Sequence, residues 1–310
     1  MKVLFWGTPD FAVPSLRALT EEGHEVVGVV TQPDRPAGRG RSLRSSAVKQ
    51  AALADGLHVL EPEGPHGEDF LGEIGALSPD LSVVVAYGRI LRREVLDAPP
   101  RGSFNVHASL LPALRGAAPI NWAIIRGMQS TGVTVMRMVE KMDAGPILLQ
   151  IEEPIASGET ASDLFVRLSD VGAQALIEAL ALLEGGALEE QPQDEHLATF
   201  APKIGRETAR VDWTASASEV ANLVRGMDAV PGAWSTLESR PVKLFRPIPD
   251  EESTHAEPGS VLEADDSAGL RVATGTGAVR FSEVQPDGKG RMAAAAWIRG
   301  RGATVGQRFE

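Results

Sequence analysis

An amide, an imidazole and a carboxylate in the first half of this chain have the chemical character needed to act on a carbonyl group. They are Asn105, His107 and Asp143, and each lies near a predicted strand end or turn. An amide can donate a hydrogen bond to a developing oxyanion, an imidazole can donate or relay a proton, and a carboxylate can orient the imidazole and favour its charged form. No serine or cysteine nucleophile is needed if the substrate brings its own amine. The three residues therefore predict direct acyl transfer onto an amine.

Each of these residues also has a common structural role. An Asn-x-His sequence at a strand end often only hydrogen-bonds nearby backbone, and an aspartate before a small residue and a glycine, as in Asp143-Ala144-Gly145, is most often a turn residue. The functional interpretation therefore depends on the segments that position the three side chains.

The first two thirds of the chain alternates apolar strands with helices. Strands are predicted over residues 2–6, 25–30, 58–60, 81–86, 102–107, 132–138 and 146–151, and helices over 14–22, 46–55 and 160–183. This alternation predicts an α/β fold, a doubly wound and mostly parallel sheet covered on both faces. Ligands in such folds bind beyond the carboxyl ends of the strands. Gly7, Tyr87 and the Asn105–His107 segment lie at predicted strand ends, so we expect them to meet in one crevice.

The character of the chain changes after about Gly185. Residues 189–196 are polar and acidic, and beyond Thr208 short strands are separated by Gly, Pro and polar residues. Strands over 242–245, 260–262, 270–273 and 278–281, with a helix over 216–226, are typical of a small β-barrel or sandwich. We predict an α/β domain over 1–188, a linker over 189–207 and a small OB-like β-barrel domain over 208–310.

Composition excludes several classes of site. The 310 residues contain no cysteine, which excludes disulfides, thiolate zinc sites and cysteine nucleophiles and fits a cytoplasmic protein. No cluster of His and acidic residues has metal-ligand spacing, so no metal is expected. No stretch approaches the ~20 apolar residues that a membrane span requires. The net charge of −12 disfavours a nucleic-acid partner in general, because phosphate repels a negative surface.

One segment is an exception to the negative balance. Residues 34–49 carry five basic side chains against one acid, and the basic ones are Arg35, Arg39, Arg41, Arg44 and Lys49. Prolines and glycines interrupt the first half of the segment, so it cannot form a helix face. Two interpretations remain: a solvated surface loop, or an exposed cationic loop that contacts a polyanion.

A dinucleotide-binding site is the obvious rival for a first strand that ends in glycine. The fingerprint of that site needs three glycines at set spacing, and the turn Gly7-Thr8-Pro9-Asp10-Phe11 has one. Pro9 also lacks the backbone N–H that a pyrophosphate would use. The turn therefore disfavours NAD binding.

Several segments, taken in order, carry a resemblance to a known family. They are residues 7–12, 31–40, 84–91, 105–112, 115–120 and 142–145, with 203–204, 209–213 and 285–289 in the C-terminal part. With them the chain resembles the methionyl-tRNA formyltransferase family over its whole length. Residues 31–40 (Thr-Gln-Pro-Asp-Arg-Pro-Ala-Gly-Arg-Gly) are the most specific of these segments.

The resemblance implies a substrate pair and a site. The donor is 10-formyltetrahydrofolate and the acceptor is the α-amine of initiator methionyl-tRNA. Asn105 donates to the oxyanion, His107 protonates the departing nitrogen N10, and Asp143 supports His107. Folate contacts are implied for Arg89, Ile90, Leu91, Ser109, Leu110, Leu111 and Pro112. The basic loop is implied to enter the tRNA acceptor stem, with contacts from Arg35, Arg39, Arg41 and Arg44.

Two other functions remain as alternatives. One is a folate-dependent formyltransferase that acts on the amine of a small amino sugar or nucleotide, since the wider superfamily shares the Asn, His and Asp. The other is a non-catalytic tRNA-binding protein that retained the fold. Ala113-Leu114 stand where family members often have Arg and an aromatic residue, which affects acceptor positioning. We expect a cytoplasmic monomer that contacts no membrane.

Overall fold

The computed structural model describes residues 1–37, 42–252, 254–265 and 269–310. The chain folds into two compact units. The first contains Met1–Gly116, Thr131–Glu153 and Phe165–Phe200, and the second contains Ala117–Ser130, Pro154–Leu164 and Ala201–Glu310. The domain bounds given above stay a prediction.

The described elements up to residue 201 are β1 (Lys2–Gly7), α1 (Val13–Glu21), β2 (Glu25–Val30), β3 (Arg35–Ala37), β4 (Ser42–Arg44), α2 (Ala47–Ala54), β5 (Val59–Leu60), α3 (Glu68–Leu77), β6 (Leu81–Val85), α4 (Arg93–Leu96), β7 (Ser103–His107), β8 (Arg115–Gly116), α5 (Pro119–Ile125), β9 (Ser130–Arg137), β10 (Ile147–Pro154), α6 (Ala161–Glu184) and β11 (Phe200–Ala201). The remaining elements are α7 (Ala217–Met227), β12 (Trp234–Leu237), β13 (Arg240–Asp250), β14 (Val261–Asp265), β15 (Gly269–Ala273), β16 (Ala278–Pro286), β17 (Met292–Ala293) and α8 (Ala294–Arg299). Short 3-10 turns occur at Asp10–Ala12 and Glu195–Leu197.

Seven of the described strands form the main sheet, in the order β10-β9-β7-β6-β1-β2-β5. Strand β1 pairs parallel with β2 and β6, and β6 pairs parallel with β7, whereas β7 and β9 are antiparallel. The predicted α/β, mostly parallel sheet is confirmed. Because the chain builds outward from β1 first through β2 and β5 and then through β6 and β7, the strand order reverses beside β1. Ligands bind at such a reversal in open α/β sheets.

Apolar packing fixes the strands that end at this point. Every residue of β6 is buried, which fits its continuous apolar sequence. Trp6 at the end of β1 donates from Nε1 to the Ser82 hydroxyl at 3.1 Å and meets the Tyr87 ring edge to face, with centroids 5.3 Å apart. A side chain at Gly7 would bring a Cβ within 2.8 Å of the Ala12 Cβ, so the turn after β1 needs glycine.

The second unit has its own sheet and core. Its strands run in the order β12-β13-β16-β15-β14. The short strand β17 pairs with β16 outside this order. The strand pairings within this sheet are antiparallel. Helix α7 begins with a capping box, in which Ser216 and Glu219 satisfy each other's backbone N–H groups. The predicted short strands of the C-terminal part are found in this antiparallel sheet, and the OB-like barrel stays a prediction.

Across the described ranges, no helix combines the length and the apolarity that crossing a bilayer requires.

Candidate active site

His107 is the last residue of β7, and its ring is buried. The ring nitrogen Nε2 lies 3.0 Å from the backbone carbonyl oxygen of Leu114. A carbonyl oxygen only accepts hydrogen bonds, so Nε2 must carry the hydrogen. It follows that a second proton can be held only at Nδ1.

Asp143 lies beside that second nitrogen. Its Oδ2 is 3.8 Å from Nδ1 of His107 and accepts a hydrogen bond from the backbone N–H of Gly116 at 2.7 Å. A separation of 3.8 Å is longer than a hydrogen bond but short enough for direct attraction between a carboxylate and an imidazolium. The turn before β10 therefore places a carboxyl group next to the ring nitrogen that Leu114 leaves free.

Asn105 precedes His107 by two positions on β7, so both side chains leave the same face of the strand. It is half-buried, and its backbone is fixed between Val84 of β6 and Met136 of β9. Within the described ranges the side-chain amide has no hydrogen-bond partner. A half-buried amide without a partner is free to donate to an oxygen of a bound molecule.

The ends of three parallel strands are tied together next to these residues. The backbone carbonyl of Tyr87, after β6, accepts from the Thr8 hydroxyl at 2.9 Å and from the Gln32 side-chain amide at 2.8 Å. Thr8 follows β1 and Gln32 follows β2. One carbonyl oxygen thus joins the chain just after β1, β2 and β6, and the crevice expected at these strand ends stays a prediction.

The residues predicted to contact folate fall into two groups. Ser109, Leu110, Leu111 and Pro112 form a turn that Thr134 and Gln150 hold in place: Thr134 donates to the Ser109 carbonyl at 2.6 Å, and Gln150 donates to the Leu111 carbonyl at 2.9 Å. The Ser109 hydroxyl itself donates to the Ala113 carbonyl at 2.6 Å. Hydrogen bonds within the turn and from Thr134 and Gln150 therefore fix the conformation of this turn.

Arg89, Ile90 and Leu91 do not share one environment. Arg89 donates to the backbone carbonyls of Pro62 and Glu63, and Leu91 is buried in the cluster around Trp6. Ile90 is 79 % exposed and offers apolar surface just beyond β6. Of the three, only Ile90 has an open side chain.

The basic loop is described in part. Arg35 on β3 lies opposite Arg44 on β4, and both side chains are exposed. Arg39 and Arg41 lie outside the described residues. Lys49, counted above among the loop's cations, is engaged by Asp34 at 3.0 Å and Glu61 at 2.7 Å. Its charge is therefore already neutralised by protein carboxylates.

Sequence reasoning missed a buried cation beside the site. Arg115 is only 1 % exposed, and its guanidinium donates to Glu195 and to the side-chain oxygen of Gln193. Hydrogen bonds from Arg115 and Lys141 lower the pKa of the Glu195 carboxyl to about 2. The partners are some eighty residues apart in sequence, and no local pattern signals such a pair.

Among the described residues, no group of His, Cys, Asp and Glu side chains is arranged to hold a metal ion.

Comparison with known proteins gives a consistent result. The family model for the formyl transferase domain matches residues 1–180, and that for the formyl transferase C-terminal domain matches residues 203–302. A methionyl-tRNA formyltransferase of Bacillus cytotoxicus is 43 % identical over 309 residues, covering 100 % of this chain and 98 % of the relative. One of Aromatoleum aromaticum is 47 % identical over 310 residues, covering 100 % of this chain and 97 % of the relative.

Among solved structures, HypX from Aquifex aeolicus in complex with tetrahydrofolic acid has a TM-score of 0.65 at 24 % identity. The match covers 96 % of this chain and 47 % of HypX, so the chain spans about half the length of that protein. At this identity the likeness shows a shared fold.

Proposed function

We propose that this chain, which belongs to the methionyl-tRNA formyltransferase family, transfers the formyl group of 10-formyltetrahydrofolate to the α-amine of methionine on initiator tRNA. The observation that carries the chemistry is the pairing of His107 Nδ1 with Asp143 Oδ2 at 3.8 Å, beside the unpartnered amide of Asn105. The reaction provides for translation initiation.

Each member of the trio has a task that its surroundings support. Asn105 donates its amide hydrogen to the formyl oxygen, which becomes negative when the amine attacks. His107 gives the Nδ1 proton to the departing folate nitrogen and recovers a proton from the ammonium that the attack creates. Asp143 stabilises the charged ring between these two transfers. No proton is gained or lost overall.

The folate supplies an activated formyl group when bound, and the residues present fit it. Exposed Ile90 provides an apolar surface for a flat ring, and the preorganised turn at Ser109–Pro112 provides a fixed wall. Arg89 helps to position Ile90 because its guanidinium donates to the backbone carbonyls of residues 62 and 63, and it is therefore not assigned a direct contact with folate.

The acceptor is assigned to tRNA rather than to a small amine. Full-length relatives at 43 % and 47 % identity are named methionyl-tRNA formyltransferases. Exposed Arg35 and Arg44, facing each other across a hairpin, suit phosphate contact, and we extend the contact to Arg39 and Arg41 of the same loop. We further infer a cytoplasmic monomer, since aminoacylated tRNA and folate are cytoplasmic substrates; sedimentation of the purified protein tests the monomeric state.

Mass analysis tests the function directly. Purified protein is incubated with 10-formyltetrahydrofolate and methionyl initiator tRNA, and the aminoacyl end is weighed after nuclease digestion. We expect the mass of one added formyl group. Formylation of an amino sugar or a nucleotide amine in preference to the tRNA would favour the alternative acceptor, and formylation of nothing would leave only a binding role.

A further inference from the structure

We propose that residues 191–199 position the catalytic pair, with Thr199 fixing the orientation of His107 and Gln193 fixing Asp143. This inference rests on the proposed function for its kinetic consequence, but its structural consequence is independent of the reaction. Residues 191–199 run along the first unit, and Gln191 exchanges two backbone hydrogen bonds with Ile147, at 2.8 and 2.9 Å.

Thr199 acts through Leu114. Leu114 has a φ of +60°, in the left-handed region that a branched residue seldom adopts. Its backbone N–H donates to the Thr199 hydroxyl at 2.9 Å, and its carbonyl receives the Nε2 hydrogen of His107 at 3.0 Å. The Thr199 backbone binds on either side of Leu114, to the Pro112 carbonyl at 3.3 Å and the Arg115 N–H at 2.9 Å. One exposed residue thus holds the unusual backbone that orients the buried ring.

Gln193 acts on the turn that carries Asp143. Its side-chain NH₂ donates to the backbone carbonyls of Asp143 at 2.8 Å and Gly145 at 2.7 Å, while its oxygen accepts from Arg115. Asp143 has a φ of +50°, and a Cβ at Gly145 would lie 1.8 Å from the Arg137 carbonyl, so the turn is tight. With both N–H groups and both lone pairs engaged, the Gln193 amide is fully used in holding it.

The contacts of Thr199 and those of Gln193 meet at residues 114–116, which include strand β8. Within residues 114–116, Leu114 gives a carbonyl to His107 and Gly116 gives an N–H to Asp143. Arg115 between them binds Gln193 and Glu195 of the 191–199 segment. The segment therefore sets both the hydrogen on Nε2 and the distance from Nδ1 to the carboxylate.

The test pairs two substitutions at Thr199. Thr199→Val removes the hydroxyl at nearly constant shape, and Thr199→Ser keeps it. Because Thr199 is exposed, neither change disturbs the apolar core. A misplaced proton donor costs on the order of 10²-fold, so we expect Thr199→Val to lower kcat by about that factor with the KM values for tRNA and folate within about twofold. Thr199→Ser is expected to restore most of the rate.

A second readout does not depend on catalysis. In ¹⁵N NMR spectra, the neutral ring of His107 is expected as the Nε2–H form in the wild type and in Thr199→Ser, and as a mixture of both forms in Thr199→Val. Gln193→Leu, which leaves Thr199 intact, is expected to lower kcat while keeping the Nε2–H form. A single tautomer and an unchanged kcat in Thr199→Val would overturn the inference. A wild-type protein that formylates no tRNA would instead overturn the proposed function. The tautomer of His107 in Thr199→Val would still decide whether Thr199 orients the ring.

Discussion

Asp143 lies beside the one nitrogen of His107 that the Leu114 carbonyl leaves free, with Oδ2 3.8 Å from Nδ1. The two ring nitrogens therefore have different tasks. Nε2 keeps its hydrogen on the Leu114 carbonyl, and Nδ1, next to the carboxylate, is the site of the exchangeable proton. A proton that is stabilised but not locked in a short hydrogen bond can be passed on, and this is the property that a general acid needs.

Asp143→Asn tests the charge while keeping the shape. The amide can still accept the Gly116 N–H, but it no longer stabilises an imidazolium. We expect kcat to fall by about 10²-fold or more, in the range of general acid–base contributions, with folate and tRNA binding retained. Steady-state formylation kinetics check this. Asp97→Asn, which alters only an exposed pair with Arg93, is the control and is expected to leave kcat unchanged.

Asn105→Ala separates a catalytic group from a structural one. Since the Asn105 amide has no partner in the described structure, its removal from this half-buried position is expected to change the free energy of unfolding by no more than about 1 kcal/mol. Loss of an oxyanion donor is expected to lower kcat by roughly 10²–10³-fold. Denaturant unfolding and formylation rates of the same preparation check both parts. A large stability loss with a normal rate would show that the amide only supports the fold.

The shared face of Asn105 and His107 was predictable, because residues two apart on a strand point to the same side. The nearness of Asp143 to His107 was implied only by the family resemblance, since β9, which precedes Asp143, runs antiparallel to β7. The contacts that Thr199 and Gln193 make around the site were not predictable. Their partners lie 85 and 50 residues away in sequence, and the polar, acidic stretch around them has the composition of a surface linker. Contacts made by single side chains across such distances leave no periodic pattern.

The bounds of helices and strands were also predictable where local sequence determines them, and less so where pairing with distant strands does. Strands with continuous apolar sequence, such as β6, matched their predicted positions closely. Strand β13 is longer than residues 242–245 suggested, because Pro247 and Pro249 interrupt the pattern. Strand β12 pairs only with Arg240–Lys243 of β13. Beyond Lys243, β13 is an edge strand that pairs only with β16, and an edge tolerates prolines because they need not donate a hydrogen bond there. Helix α3 has Gly72 and Gly75 in its interior and gave no prediction.

Arg35→Ala and Arg44→Ala test the tRNA contact. Each removes an exposed charge from the β3–β4 hairpin. We expect each to raise the apparent KM for tRNA and to reduce the slope of log affinity against log salt by about one, with kcat for bound tRNA retained. Arg39→Ala is expected to behave in the same way. Arg93→Ala, an exposed arginine on α4, is the matched control. If all four variants kept the wild-type salt slope, contact between the loop and phosphate would be contradicted.

Lys49 is expected to stabilise the base of that loop instead of binding tRNA. Hydrogen bonds with Glu61 and Asp34 raise the pKa of Lys49, and the hydrogen bond from Lys49 lowers the pKa of Asp34. A lowered carboxyl pKa in the folded state means that its stabilisation is present above the unfolded pKa and is lost as the pH falls through the folded one. Lys49→Met is therefore expected to lower the Tm at pH 7, and the difference from wild type is expected to shrink in acid.

The salt dependence of tRNA binding distinguishes Lys49 from the hairpin arginines. We expect Lys49→Met to keep the wild-type slope, because the ammonium is already paired with two carboxylates. A slope reduced by about one would instead identify Lys49 as a phosphate ligand.

Tyr87→Phe tests a buried hydroxyl that has no hydrogen-bond partner among the described residues. The Tyr87 oxygen is buried without a hydrogen-bond partner among the described residues, and burial raises the pKa of the phenol, so it stays neutral. Removing a buried polar atom that has no partner relieves its desolvation cost, which is about 1 kcal/mol or more. The ring contact with Trp6 and the backbone carbonyl that binds Thr8 and Gln32 are both retained in phenylalanine. We expect an unchanged formylation rate and an unfolding free energy equal to or above that of wild type; a lower one would mean that the hydroxyl has a bound partner, such as a buried water.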